Sequence, residues 1–176
     1  MDEVEEVLPR PLTERYRLDS KLGEGGMGTV YQGLDLVMRR LVAVKLVRPE
    51  EGTQISEEIA GRFLREAKHT ARLRHEHIVE VFDVGRTDNG ELFLVMELLA
   101  GESLSDLIRR DSRLHYRAVI HIALQICEGL HVAHSSGIVH RDLKPGNIML
   151  VPRAENDFFV KVLDFGVAKS NALDLT

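Results

Sequence analysis

The run His140-Arg141-Asp142-Leu143-Lys144-Pro145-Gly146-Asn147 sets a carboxylate, an ammonium and an amide on one short loop. A second run, Asp164-Phe165-Gly166, adds a carboxylate directly after the apolar stretch Val160-Lys161-Val162-Leu163. Two carboxyl groups and an amide that converge can hold Mg2+ on a nucleotide and receive a hydroxyl proton. Any single loop Asp is equally explained as the cap of a backbone turn, so the weight lies on the combination. Upstream, Gly23-Glu24-Gly25-Gly26-Met27-Gly28-Thr29-Val30 fits the pattern G-x-G-x-x-G-x-V. Glycines let a backbone approach phosphate oxygens closely and offer N–H groups with no Cβ in the way. A plain hairpin turn uses the same residues. A dinucleotide fingerprint needs a helix to start at the glycines, whereas Val30-Tyr31 onward reads as a strand.

The combined runs resemble the protein kinase family. H-R-D-L-K-x-x-N followed by D-F-G is similar to that family's catalytic and metal-binding loops, and the D-L-K-P-x-N form resembles Ser/Thr rather than tyrosine kinases. The likeness extends from about Tyr16 to Lys169 and is most like the eukaryotic-like kinases of bacteria. It implies transfer of the ATP γ-phosphoryl group to Ser/Thr hydroxyls of a protein substrate, with ATP and Mg2+, or Mn2+ in its place, as cofactors. By the same resemblance Asp142 is the base that meets the acceptor hydroxyl, Lys144 neutralises the transferring group, and Asn147 and Asp164 bind metal. Val42-Ala43-Val44-Lys45 looks like the family's V-A-I-K strand, with Lys45 on the α- and β-phosphates. Leu22, Gly23, Glu24, Gly25, Gly26, Met27 and Gly28 would cover the nucleotide. Val30, Ala43 and Met149 would sandwich adenine, with Met96 behind it and the Glu97 and Leu99 backbone as hinge. Ribose contacts are expected near Glu102 or Ser103. Thr70, Val81, His140 and Phe165 would stack between helix and metal loop, Thr70 being smaller than the family's usual residue.

These groups need elements to position them. Strands are expected over residues 16–22, 29–35, 41–47, 78–84 and 92–97, the third rich in β-branched residues, with Thr87-Asp88-Asn89-Gly90 as a turn between the last two. A helix over residues 56–73 carries Ile59, Phe63, Ala67 and Thr70 along one face. Glu66 shares the face of Phe63 and Thr70, so its carboxylate points inward and needs a cation. Lys45 meets that need, as would Lys68 or Arg62. Residues 103–110 form a short helix. Residues 116–135 form a long one, with Val119, Ile122, Ala123, Ile126, Leu130 and Ala133 facing inward and Gly137 ending it. A small hairpin over residues 148–151 and 160–163 follows. The expected fold is α+β and kinase-like: a frayed acidic leader over residues 1–14, a five-stranded antiparallel sheet with one long helix over 15–98, and a partial helical lobe over 99–176.

With 23 basic and 28 acidic residues and a net charge of −5, nothing suggests a nucleic-acid footprint. One cysteine, Cys127, excludes an intrachain disulfide, suits a reducing compartment, and reads as core or half-buried on the long helix. His75-x-His77 reads as a helix-to-strand turn more readily than as a metal site. No run is long enough to span a bilayer, and the acidic start is unlike a signal peptide. A cytoplasmic chain is the simplest expectation, an anchor elsewhere in a longer parent being compatible with it. The sequence ends ten residues after Gly166. In the family an activation segment, an A-P-E or S-P-E motif and further helices follow, and Arg141 implies control by a phosphorylated activation loop, of which Ser170 or Thr176 would be remnants. Two function classes therefore stand open: a Ser/Thr kinase, and a truncated kinase-like module that binds nucleotide or a partner without efficient transfer. In both, a partner or a further C-terminal part is expected to cover the helical half.

Overall fold

Alternation is the rule that builds the first half. Val42, Val44 and Leu46 are buried on one face of a strand whose other face carries Ala43 and Lys45, as the two-residue period of a strand requires. The computed structural model describes residues 7–25, 28–47, 56–111, 113–154 and 157–165. Two compact units emerge: Met1–Leu64 with Val81–Leu98, and Arg65–Glu80 with Leu99–Thr176. Residues 65–80 go with the second unit.

The first unit is a sheet of β1 (Arg10–Pro11), β2 (Tyr16–Gly25), β3 (Gly28–Asp35), β4 (Arg40–Val47), β5 (Val81–Arg86) and β6 (Leu92–Glu97), in the order β1-β2-β3-β4-β6-β5. All pairings are antiparallel. Tyr31 opposes Val44 and Val44 opposes Val95, which aligns one apolar row with Tyr16, Leu18 and Phe93 in a single core. The five expected strands are present, and β1 makes a sixth. Within the expected leader, Arg10 and Pro11 pair with Leu18 and Arg17, and Leu8 and Leu12 pack on the core. Apolar residues on both sides of the prolines drive this docking, which an acidic composition hides. Residues 1–6 lie outside the described residues. At the β3–β4 turn Asp35 is fully buried. It takes a two-pronged contact from Arg15, at 3.1 and 2.8 Å, and caps the turn through the N–H groups of Val37 and Met38. The Arg15 guanidinium holds the Asp35 carboxyl at about 2.

Helix α1 (Glu57–Thr70) buries Ala60, Phe63 and Ala67, with Thr70 half-buried. The Ile59 side chain lies outside the described residues.

The second unit contains β7 (Glu102–Ser103), α2 (Leu104–Asp111), α3 (Tyr116–Ser135), a 3-10 turn over Pro145–Asn147, β8 (Ile148–Ala154) and β9 (Asp157–Val162). Strands β7, β8 and β9 pair in that order, and Ile78 adds a parallel bridge to Val162. Helix α3 ends as Gly137 swings to φ 74 and Ile138 N–H returns to the Ala133 carbonyl at 2.9 Å. Its buried stripe is Ile122, Gln125, Gly129 and Ala133. Val119 and Ala123, expected inside, are exposed. The stripe is rotated because Gln125 hydrogen-bonds β9 and because Gly129, lacking a Cβ, lets the helix approach the His77 carbonyl. Cys127 rotates outward with it and is exposed. Among the described residues no helix is long and apolar enough to cross a membrane.

Tyr116 (61%), Val119 (46%), Ile120 (55%) and Leu124 (58%) are exposed on α3. Contiguous apolar surface of this kind promotes association. The 176-residue chain should self-associate as its concentration rises, and the double substitution Ile120→Glu, Leu124→Glu should extend the monomeric range about tenfold or more, at roughly 1.5 kcal/mol or more per side chain. Sedimentation velocity across a dilution series checks this; identical profiles for the two proteins would refute it.

Candidate functional site

Within the second unit, the loop 140–147 is tied to the strand that precedes Asp164 by two hydrogen bonds to one residue. His140 is buried and its Nε2–H donates to the Leu163 carbonyl at 2.7 Å, while its Nδ1 accepts from Asp142 N–H at 3.3 Å. Both contacts suit one neutral tautomer. From the other end of the loop, the Asn147 carbonyl accepts from Leu163 N–H at 2.8 Å. Leu163 is therefore gripped at its N–H and its C=O, and Asp164 is the next residue. Phe165 closes the arrangement by packing on the His140 ring, centroids 4.7 Å apart.

Arg141 at φ 60 makes the tight turn that brings Asp142 N–H to the His140 carbonyl at 2.8 Å. Asp142 is then largely enclosed, with 9% of its side chain exposed and Lys144 Nζ 2.9 Å from Oδ2. Asn147 donates its Nδ2 to the Asp142 backbone oxygen at 2.9 Å and to Oδ2 at 3.3 Å. This commits the amide nitrogen and turns its carbonyl oxygen into the atom offered to a ligand. Asp164 has φ 48, a left-handed conformation that side chains rarely adopt away from functional sites. Oxygen donors from a carboxylate and an amide suit a hard cation such as Mg2+. Among the described residues no group of three or more His, Cys, Asp or Glu forms a ready-made cage, so a cation here would need ligand oxygens as well.

In the first unit, register collects the expected nucleotide residues on one face. Val30 opposes Lys45 and Lys45 opposes Leu94; in the next row Ala43 opposes Met96. Opposed residues share a face, so Val30, Ala43, Lys45 and Met96 lie together, opposite the Tyr31–Val44–Val95 core. The glycines divide by cause. A Cβ on Gly28, which sits at φ 131, would lie 1.9 Å from the Leu46 carbonyl oxygen, so the fold itself demands glycine there. Gly23 and Gly25 have no left-handed φ and face open space among the described residues. Among the described residues nothing crowds a Cβ at either position. Leu22 is exposed at the bulge between Lys21 and Gly23, and Glu24 is ion-paired with Lys21. Gly26, Met27 and Gly166 lie outside the described residues.

Lys45 is buried in the first unit, whereas Glu66 is half-buried in the second, as are Leu99 and Met149. Met149 pairs with Ser103 across β7–β8. The residues expected near the ribose have partners within the second unit. Both Glu102 carboxylate oxygens accept from Arg110 Nη1, at 2.7 and 2.9 Å, and Ser103 Oγ caps α2 by accepting from Asp106 N–H at 3.1 Å.

The family model for the protein kinase domain matches residues 16–174. The chain belongs to the protein kinase family. It is 40% identical over 168 residues to serine/threonine-protein kinase pkn3 of Myxococcus xanthus, covering 95% of this chain and 30% of that protein. Serine/threonine-protein kinase PknA of Mycobacterium tuberculosis is 41% identical over 163 residues, covering 90% of this chain and 36% of its own length. Among solved structures, a double mutant of the Mycobacterium tuberculosis PknI kinase domain superposes with a TM-score of 0.81 at 28% identity, over 93% of this chain and 65% of that one. Rad53 in complex with AMP-PNP gives a TM-score of 0.74 at 28% identity, over 88% of this chain and 39% of that one. The chain thus spans about a third of the length of the curated relatives.

Two residues of this kinase-family chain escape the sequence motifs. Gln125 is a buried amide that holds β9, and its only outward sign is a polar residue in the row of Gly129 and Ala133. His77 is also buried, with Nδ1 2.9 Å from the Val160 carbonyl. The turn expected at His75-x-His77 is there, but its second histidine is part of the core.

Proposed function

We propose that this chain carries the nucleotide site and catalytic loop of an ATP-dependent serine/threonine protein kinase, transferring the γ-phosphoryl group to Ser/Thr hydroxyls of a protein substrate. The observation that carries the reading is the double grip on Leu163, which links Asp142, Lys144 and Asn147 on one loop to Asp164 on the next. Asp142 accepts the proton of the attacking hydroxyl, and Lys144 lends positive charge where the transferring group gathers negative charge. Lys45 would hold the α- and β-phosphates, while Gly23 and Gly25 leave room for close backbone approach. Val30, Ala43, Met96, Met149 and the Glu97 and Leu99 backbone would frame the adenine. Asn147 and Asp164 would hold Mg2+, or Mn2+ in its place, which when bound neutralises charge on the phosphates. AMP-PNP on the similar Rad53 fold supports a nucleotide of this class. The single cysteine and absent disulfide suit the cytoplasm.

A second reading, binding of nucleotide or a partner without efficient transfer, draws on the exposed apolar face of α3, which calls for cover by a partner or by further polypeptide.

ATP binding should be stronger with Mg2+ than without it, and Lys45→Ala should weaken Mg2+-ATP binding about tenfold or more, the scale of a lost hydrogen bond to a charged group. Isothermal titration calorimetry reads both. Binding indifferent to Mg2+, or unchanged in Lys45→Ala, would overturn the nucleotide site.

A further inference from the structure

Strand β9 is hydrogen-bonded to β8 along one edge, and its other edge is closed by side chains and a loop. Gln125, from the middle of α3, donates Nε2 to the Phe158 carbonyl at 3.0 Å and accepts from Val160 N–H at 2.9 Å through Oε1. His77 continues the row. Its Nδ1–H donates to the Val160 carbonyl at 2.9 Å, and its own carbonyl accepts from Val162 N–H at 2.9 Å. Val79 N–H then donates to the Val162 carbonyl at 2.9 Å. From the Phe158 carbonyl to the Val162 carbonyl the backbone groups on that edge have partners in order, and the next residue, Leu163, is the one gripped by His140 and Asn147.

The His77 ring is fixed from several sides. It lies against Phe159 with centroids 4.7 Å apart, and Gly129 of α3 approaches its carbonyl so closely that a Cβ would sit 3.1 Å away. Its Nε2 faces Glu128 Oε2 at 3.4 Å. A carbonyl accepts only, so the Val160 contact places a proton on Nδ1.

We propose that Gln125 and His77 are positioning residues for the metal-binding carboxylate of Asp164, acting by fixing the outer edge of β9. The inference rests on the nucleotide and metal reading given above. Neither side chain touches the ligand. Each holds the strand whose last residues set where Asp164 begins, as the outer partners of a metal ligand do in metal sites generally. Because Asp164 departs into a left-handed turn, its carboxylate direction depends on how firmly the preceding peptide is held.

The test compares Gln125→Leu, Gln125→Asn, His77→Leu and His77→Asn with the unaltered full-length protein. Gln125→Asn keeps an amide but draws it one methylene back from the strand, a milder change should the leucine variant not fold. His77→Asn keeps an N–H near the position of Nδ1. ADP affinity is measured by calorimetry without metal and with Mg2+, and amide hydrogen exchange is followed over residues 158–165. The expected result is metal-free ADP affinity within about twofold, but an Mg2+-dependent gain reduced about tenfold in Gln125→Leu, Gln125→Asn and His77→Leu, the scale found for outer-shell partners of metal ligands. Exchange at Val160 and Val162 should be faster in the same variants, and His77→Asn should restore both readouts. A purely structural role would lower the melting temperature and leave the Mg2+ gain of the folded protein unchanged, which overturns the proposal. His77→Asn behaving like His77→Leu would overturn the role given to the Nδ1–H. If the unaltered protein itself gains nothing from Mg2+, the nucleotide reading fails, while exchange at Val160 and Val162 still reports whether Gln125 and His77 hold the strand.

Discussion

Asp142→Asn in the full-length protein should lower phosphoryl transfer to a Ser/Thr substrate by about 10²–10⁴-fold, the range supplied by a positioned general base, with ATP affinity within about twofold. The substitution is nearly isosteric. The backbone N–H of residue 142 still bonds the His140 carbonyl, and its carbonyl still accepts from Asn147 Nδ2. The side-chain amide retains an oxygen toward Lys144 and Asn147, so the loop keeps its shape. What is lost is the capacity to take a proton and the negative charge that Lys144 approaches at 2.9 Å. Neither is asked for by the nucleotide, which the reading assigns to Lys45, Asn147, Asp164 and the glycine loop. Single-turnover transfer measured beside ATP calorimetry separates the two effects. Equal losses in binding and turnover would show that Asp142 belongs to the nucleotide site and not to the acceptor.

Much of the fold is legible in local pattern, because local pattern is what builds it. Strand β6 occupies Leu92–Glu97 and helix α3 occupies Tyr116–Ser135, the bounds expected from apolar runs and the flanking turn residues. Strand β2 runs on to Gly25 because Gly23, Glu24 and Gly25 pair with Val30, Thr29 and Gly28, and glycine carries no strand signal of its own. Strand β5 begins at Val81, three residues later than the apolar run, since Ile78 and Val79 are claimed by Val162 from the far end of the chain. The same cause hides the devices around the candidate site. His140, Asp142, Asn147 and Asp164 are visible as motif residues, but the bonds from His140 and Asn147 to Leu163 span long stretches of sequence. The inward face of α3 is the exception, because Gln125 carries no apolar signal. Counting apolar residues turned α3 toward Val119 and Ala123, whereas a buried amide with two backbone partners is worth more inside than two exchangeable aliphatic groups.

Asp164 offers a test in which function and stability move independently. At φ 48 its backbone is in the left-handed region, where a Cβ crowds the following carbonyl at about 1–2 kcal/mol and glycine is unpenalised. Asp164→Ala and Asp164→Gly both delete the carboxylate and every contact it makes, so their difference reads the backbone alone. Asp164→Gly should be the more stable of the two by about 1 kcal/mol, part of the conformational advantage being offset by the greater freedom of glycine in the unfolded chain. Urea unfolding of the two variants under identical conditions measures that gap. Both should lose essentially all of the Mg2+-dependent gain in ADP affinity, because Asn147 alone offers one neutral oxygen to a cation that prefers carboxylate. Two variants of equal stability would show that the left-handed turn carries no strain in solution. An Mg2+ gain surviving in either would remove Asp164 from the metal site, and with it the reason for the chain to hold a bulky residue where glycine fits better.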